Sequence, residues 1–152
     1  MASRALERRA RRRFHTCAVG VVATLAALAA AAQQDFKIRL RPVPIEASTA
    51  AATTGAGEAT AALAGRTLSL RGSFAGLQGA ATAARLHQGP VMGVRGPAFA
   101  EVAVPAATSG DFSAEITLTA PQVDALRRGQ IYLQIHSASA PDGNLWGWVL
   151  AR

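Results

Sequence analysis

Alternation constrains this chain more than any other feature. Phe36, Ile38 and Leu40 alternate with Lys37, Arg39 and Arg41, and Leu68, Leu70 and Phe74 alternate with Ser69, Arg71 and Ser73. Phe112, Ala114, Ile116 and Leu118 alternate with Ser113, Glu115 and Thr117, and Ile131, Leu133 and Ile135 with Tyr132, Gln134 and His136. Successive side chains on a strand point to opposite faces, so each run has one dry face and one wetter face. Weaker runs at 58–63, 81–87, 99–104 and 144–150 bring the expected total to about eight strands. Glycine, proline and Ser-Gly-Asp breaks separate them, as at Gly89-Pro90, Gly96-Pro97, Ser109-Gly110-Asp111 and Pro141-Asp142-Gly143. Many short strands divided by turn residues predict an all-β antiparallel sandwich or barrel.

One helix is expected, over 121–128. Pro121 suits a first helical turn and Gly129 ends the segment. With Thr119 as cap, Gln122 falls three residues later, the spacing of a capping box. The stretch 46–57 is rich in Ala and Thr and lacks large apolar residues, which predicts a long loop or a loosely held edge. No internal repeat and no second domain is visible.

The charge is uneven. Six of the sixteen Lys and Arg residues fall within the first thirteen positions, opposed there only by Glu7. From Gln33 onward ten basic residues meet eight acidic ones. The calculated pI of 11.4 therefore belongs mostly to the leader. It is no sign of nucleic-acid binding, which needs basic residues clustered on the folded part. A basic stretch, an apolar Ala-rich stretch from Cys17 to Ala32 and a run of small residues before Gln33 follow the order of a secretory signal. That apolar stretch is shorter than the ~20 residues that span a bilayer. Residues 1–32 are thus expected to be a signal peptide, cleaved near Ala32, with an uncleaved membrane anchor as the alternative. Arg11, Arg12 and Phe14 resemble a twin-arginine export motif, the alternative being the basic start of a general secretory signal. The domain proper is expected to occupy 33–152, in the periplasm or outside the cell. Cys17 is the only cysteine, so the cleaved chain forms no disulfide.

Three stretches resemble the chordin-type domain, the CHRD family. Ala83-Ala84-Arg85-Leu86-His87-Gln88-Gly89 is similar to the family's Ala-Ala-His-Ile-His-x-Gly, and Gly93-Val94-Arg95-Gly96-Pro97 to its Gly-x-x-Gly-Pro loop. Leu126 to Ser137, followed by Pro141-Asp142-Gly143-Asn144-Leu145-Trp146-Gly147, is similar to Leu-x-x-Gly-x-x-Tyr-Val-x-Ile-His-Thr and Pro-x-Gly-Glu-Ile-Arg-Gly. The resemblance implies a Greek-key β-sandwich and a stand-alone bacterial member of the family. It implies little about activity. Arg85 replaces the first histidine of the family's pair, and Asn144 and Trp146 replace its glutamate and arginine. A ligand held by those residues elsewhere in the family need not bind here.

Chemistry-bearing residues are few. His87 and His136 are the only histidines beyond the leader, each near a strand end. They suit a transition metal such as copper or zinc, or proton transfer. A catalytic zinc needs three protein ligands and an open position, and Asp142 and Glu101 are candidates for the third that the sequence does not place. The alternative is that both histidines bond loop backbone and fix turns, with no cofactor at all. No serine lies in a Gly-x-Ser-x-Gly elbow and no acid/base pair stands out. Trp146 and Trp148 sit two apart on the last strand and share a face, with Leu145 and Val149 on the other. Exposed, they form a stacking surface for a sugar or a protein, with Tyr132 beside them; covered, they pack under a loop. The sequence therefore favours a monomeric or weakly associating, exported, non-catalytic binding or structural module, with a protein or glycan of the cell envelope as partner. The alternative is a metal-binding or redox protein using His87 and His136.

Overall fold

Each alternating run forms a strand. The computed structural model describes residues 33–43 and 50–152. The leader with Arg11, Arg12 and Phe14, and the start of the 46–57 stretch, lie outside the described residues. In chain order the elements are β1 (Gln34–Pro42), a 3₁₀ turn (Ala50–Ala52), β2 (Ala56–Ala64), β3 (Thr67–Ala75), β4 (Ala81–Gln88) and β5 (Ala98–Val102). Then come β6 (Gly110–Thr117), α1 (Ala120–Arg127), β7 (Ile131–Ser137), β8 (Ala140–Trp148) and the two-residue β9 (Leu150–Ala151).

All pairings are antiparallel. The strands run in the order β5-β4-β7-β8-β1-β2-β3-β6, with β9 paired to β1. The chain crosses between the two halves at β3 to β4, at β5 to β6 and again through α1, which is the Greek-key habit. The expected pair of separate layers is instead one continuous sheet, nearly closed into a barrel. The reason is β1. Its body, from Gln34 to Leu40, pairs with β2, while Arg41 and Pro42 pair with Trp146 and Leu145 of β8. On the far side the β5–β6 connection ties in through its backbone: Leu77 N donates to Thr108 O at 3.1 Å and Ala81 N to Ala107 O at 2.8 Å.

The core is the dry face of β1 to β8. Phe36, Ile38, Leu40, Leu68, Leu70, Leu86, Ile131, Leu133, Ile135 and Leu145 are buried together. Ile116 is only partly buried, because β6 ends the sheet order and has one neighbour. The helix closes one end with Val123, Ala125 and Leu126. Its capping box forms as expected: Gln122 N donates to Thr119 Oγ1 at 3.4 Å, and Thr119 N to Gln122 Oε1 at 2.8 Å. The described part of the 46–57 stretch is not loose. Ser139 Oγ donates to Ala52 O, Asn144 Nδ2 to Thr54 O, and Thr54 Oγ1 to Gly76 O.

Candidate functional site

One strand breaks the alternation. All seven residues of β7 are buried, on both faces. Its inner face is core. Its outer face carries Tyr132, Gln134 and His136, only 1%, 3% and 9% exposed. Polar side chains on the outside of a sheet are normally wet, so something covers these.

The cover comes from two directions. The loop 89–97 folds over one end: Gly89 N donates to Gln130 O at 2.9 Å, Gln88 N to Pro97 O at 3.0 Å and Gln130 Nε2 to Pro90 O at 2.6 Å. Gly96 lies so close to the neighbouring backbone that a Cβ there would overlap the Gln88 carbonyl oxygen. That close approach explains the glycine. The Gly96 carbonyl accepts from Tyr132 Oη at 3.2 Å and from His87 Nδ1 at 2.9 Å. The start of β8 covers the other end, where Gln134 Nε2 donates to Asp142 O and His136 Nδ1 to Pro141 O, each at 2.8 Å.

Strand register brings the candidate residues together. Across β4 and β7, His87 faces Tyr132 and Arg85 faces Gln134. Across β7 and β8, Tyr132 faces Trp148 and Gln134 faces Trp146. The His87 ring stacks on Tyr132 at 4.8 Å between centroids, 14° from parallel. Tyr132 meets Trp146 edge-on at 5.7 Å and Trp148 at 4.8 Å, and the two indoles lie 5.8 Å apart. The His87 and His136 rings are 6.4 Å apart. The histidine pair and the aromatic pair, separate proposals from the sequence, thus form one continuous cluster. Trp146 and Trp148 are half-buried, with Leu145 and Val149 in the core on the other face. Tyr132 is not beside them on the surface but buried behind them, locked to Gly96.

Both histidines are held by backbone carbonyls. A carbonyl has no proton to give, so each Nδ1 carries the hydrogen, and a neutral ring then leaves Nε2 as a bare acceptor. Both Nε2 atoms are buried and have no hydrogen-bond partner. Burial pushes the His87 pKa below its ordinary 6.5; the Gly96 bond opposes this, and the charges of His136, Arg85 and Arg95 reinforce it. Its ring is therefore neutral at neutral pH. The suggested third ligands do not join the pair. Glu101 bonds Arg85 at 3.3 Å, the Asp142 side chain is exposed, and no group of three or more His, Cys, Asp or Glu side chains among the described residues is placed to hold a metal.

Sequence reasoning missed a groove beside Trp148. It has a volume of about 390 Å³ and is lined by Lys37, Arg39, Trp148, Leu150, Ala151 and Arg152. The alternating cations of β1 were visible as a wet face; their closeness to Trp148 needed the fold.

The CHRD domain family matches residues 27–149, spanning β1 to β8 and every residue of the cluster. This chain belongs to the CHRD domain family. Neither a curated protein nor a solved structure matches it significantly. CHRD domains occur in extracellular or secreted proteins. No helix among the described residues is long and apolar enough to cross a membrane. Two departures from the CHRD pattern acquire structural meaning. Asn144 is fully buried, accepting from Ser137 Oγ at 2.9 Å while donating to Thr54 O, so it pins a loop. Trp146 joins the aromatic cluster where the pattern has arginine.

Proposed function

We propose that this CHRD domain is an exported, non-catalytic binding module that takes an acidic glycan of the cell envelope on the Trp148 side of its outer face. The groove beside Trp148 carries this reading. Lys37, Arg39 and Arg152 line it with no Asp or Glu side chain among them, and Trp148 and Leu150 supply its apolar wall. An indole face stacks on the apolar face of a sugar ring, and guanidinium groups pair with sugar carboxylates. Export rests on the charge, apolar and small-residue order of residues 1–32.

The test is a binding titration of the exported protein against a polyuronate oligosaccharide and a neutral glucan of equal length. The polyuronate should bind, more weakly as salt rises, and the neutral glucan should not. Trp146→Ser with Trp148→Ser should abolish binding while a thermal melt remains cooperative. Acrylamide should quench the wild-type indoles, less so when the polyuronate is bound. Equal affinity for the two glycans, or binding by neither, would reject the reading. Intact-mass analysis of the same preparation should show loss of about thirty residues if 1–32 are a cleaved signal.

A further inference from the structure

Two buried nitrogens with no hydrogen-bond partner are unusual, because buried polar atoms nearly always find one. In this domain the two lie on neighbouring imidazoles: Nε2 of His87 and Nε2 of His136. Each ring is oriented by its own backbone carbonyl, Gly96 O at 2.9 Å and Pro141 O at 2.8 Å. A ring whose Nδ1–H is anchored to a carbonyl presents its Nε2 lone pair in a fixed direction, the way proteins orient metal-binding histidines.

We propose that His87 and His136 form a copper(I) site, bound through their two Nε2 atoms. Two observations select this ion. First, two imidazoles bound to one ion at ~2.0 Å from opposite sides hold their ring centres about 6 Å apart, and a tetrahedral angle would draw them closer. The observed separation of 6.4 Å suits the opposed arrangement. Copper(I), with a filled d shell, accepts two nitrogen donors in a near-linear arrangement. Second, no third or fourth His, Cys, Asp or Glu side chain among the described residues joins the pair. Zinc requires four ligands and is poorly served by two. The Tyr132 ring stacked on His87, and the indoles behind it, shield the site from bulk water. This inference is independent of glycan binding, since it needs neither the basic groove nor an exposed indole.

The test uses the exported protein purified without a histidine tag and titrated anaerobically with copper(I) against a chromogenic chelator. One copper per chain should bind, with a drop in tryptophan fluorescence because the indoles adjoin the site. His87→Asn and His136→Asn each keep a side-chain donor near the original Nδ1 and remove Nε2. Each should abolish stoichiometric binding and the fluorescence drop, with thermal melts showing that the domain still folds. Should either variant fail to fold, X-ray absorption of the copper-loaded wild type decides, with two nitrogen neighbours expected. Trp146→Ser with Trp148→Ser should retain one copper per chain, which separates this site from the glycan reading. Copper binding unchanged in the double asparagine variant, no binding by the wild type beyond the chelator's competition, or a copper shell of sulfur or of four light atoms would overturn the proposal.

Discussion

The two outer faces of this barrel follow the same alternation and end in opposite conditions. On β1, β2, β3 and β6 the outward residues stay in water: Lys37, Arg39, Glu58, Arg71, Ser73, Asp111 and Glu115 are all exposed. Charges of both signs mix there, and Ser69 reaches Glu115 at 3.5 Å as a surface contact. On β7 the outward residues Tyr132, Gln134 and His136 are as buried as core. The strands do not differ in periodicity. They differ in what lies over them, since among the described residues only the β7 side has a loop and a strand start folded onto it. A sheet face needs no cover to be stable, so a covered face of polar residues, each hydrogen-bonded to a backbone carbonyl, sets the β7 side apart from the rest of the sheet.

Mutation can sharpen or break that contrast. The largest effect is expected from Leu133→Ala on the inner face of β7, which should cost ~2–5 kcal/mol in a denaturant titration by removing buried methyl groups and leaving a cavity. Tyr132→Phe, one residue away on the outer face, should cost ~1 kcal/mol by releasing Gly96, and amide exchange in the loop 89–97 should quicken. If that loop's exchange is unchanged, the phenol is not what holds the cover down.

A smaller effect is expected from pH, measured with a chelator present. The His87 pKa is lowered in the folded domain, chiefly by burial, from an ordinary 6.5. Below pH 6.5 the unfolded chain therefore takes up a proton that the folded one resists. Stability from this group is complete above 6.5 and is lost as pH falls from there through the lowered folded value. His87→Asn should flatten that part of the stability profile, and an unchanged slope would count against a buried neutral ring. Ser73→Ala, on the open face, should change stability by no more than about 0.5 kcal/mol. A larger loss there would mean that the open face is not merely solvated, and the contrast between the two faces would fail.

The strands were legible because alternation is a local property, written in neighbouring residues and enforced by the pleat. The same holds for the Thr119–Gln122 capping box and for the common face of Trp146 and Trp148. Depth was not legible. Ile116 has the pattern of a core residue and Tyr132 that of a surface one, yet the first is only partly buried and the second fully. Alternation tells which way a side chain points, not what lies in that direction.

What the sequence determined by itself was an all-β CHRD domain with its dry faces, its helix and its short supply of chemical groups, because each of these depends on residues close together in the chain. Only the tertiary structure decided that the sheet nearly closes, because a single strand, β1, had to be seen pairing on both sides. Only it decided that His87 and His136 are neighbours with their Nε2 atoms unpartnered. Two long-range conditions meet there: the β4–β7 register, and a Gly96 approach to Gln88 too close for any side chain. Neither leaves a periodic trace in the sequence, since contact between distant segments depends on how the whole sheet closes.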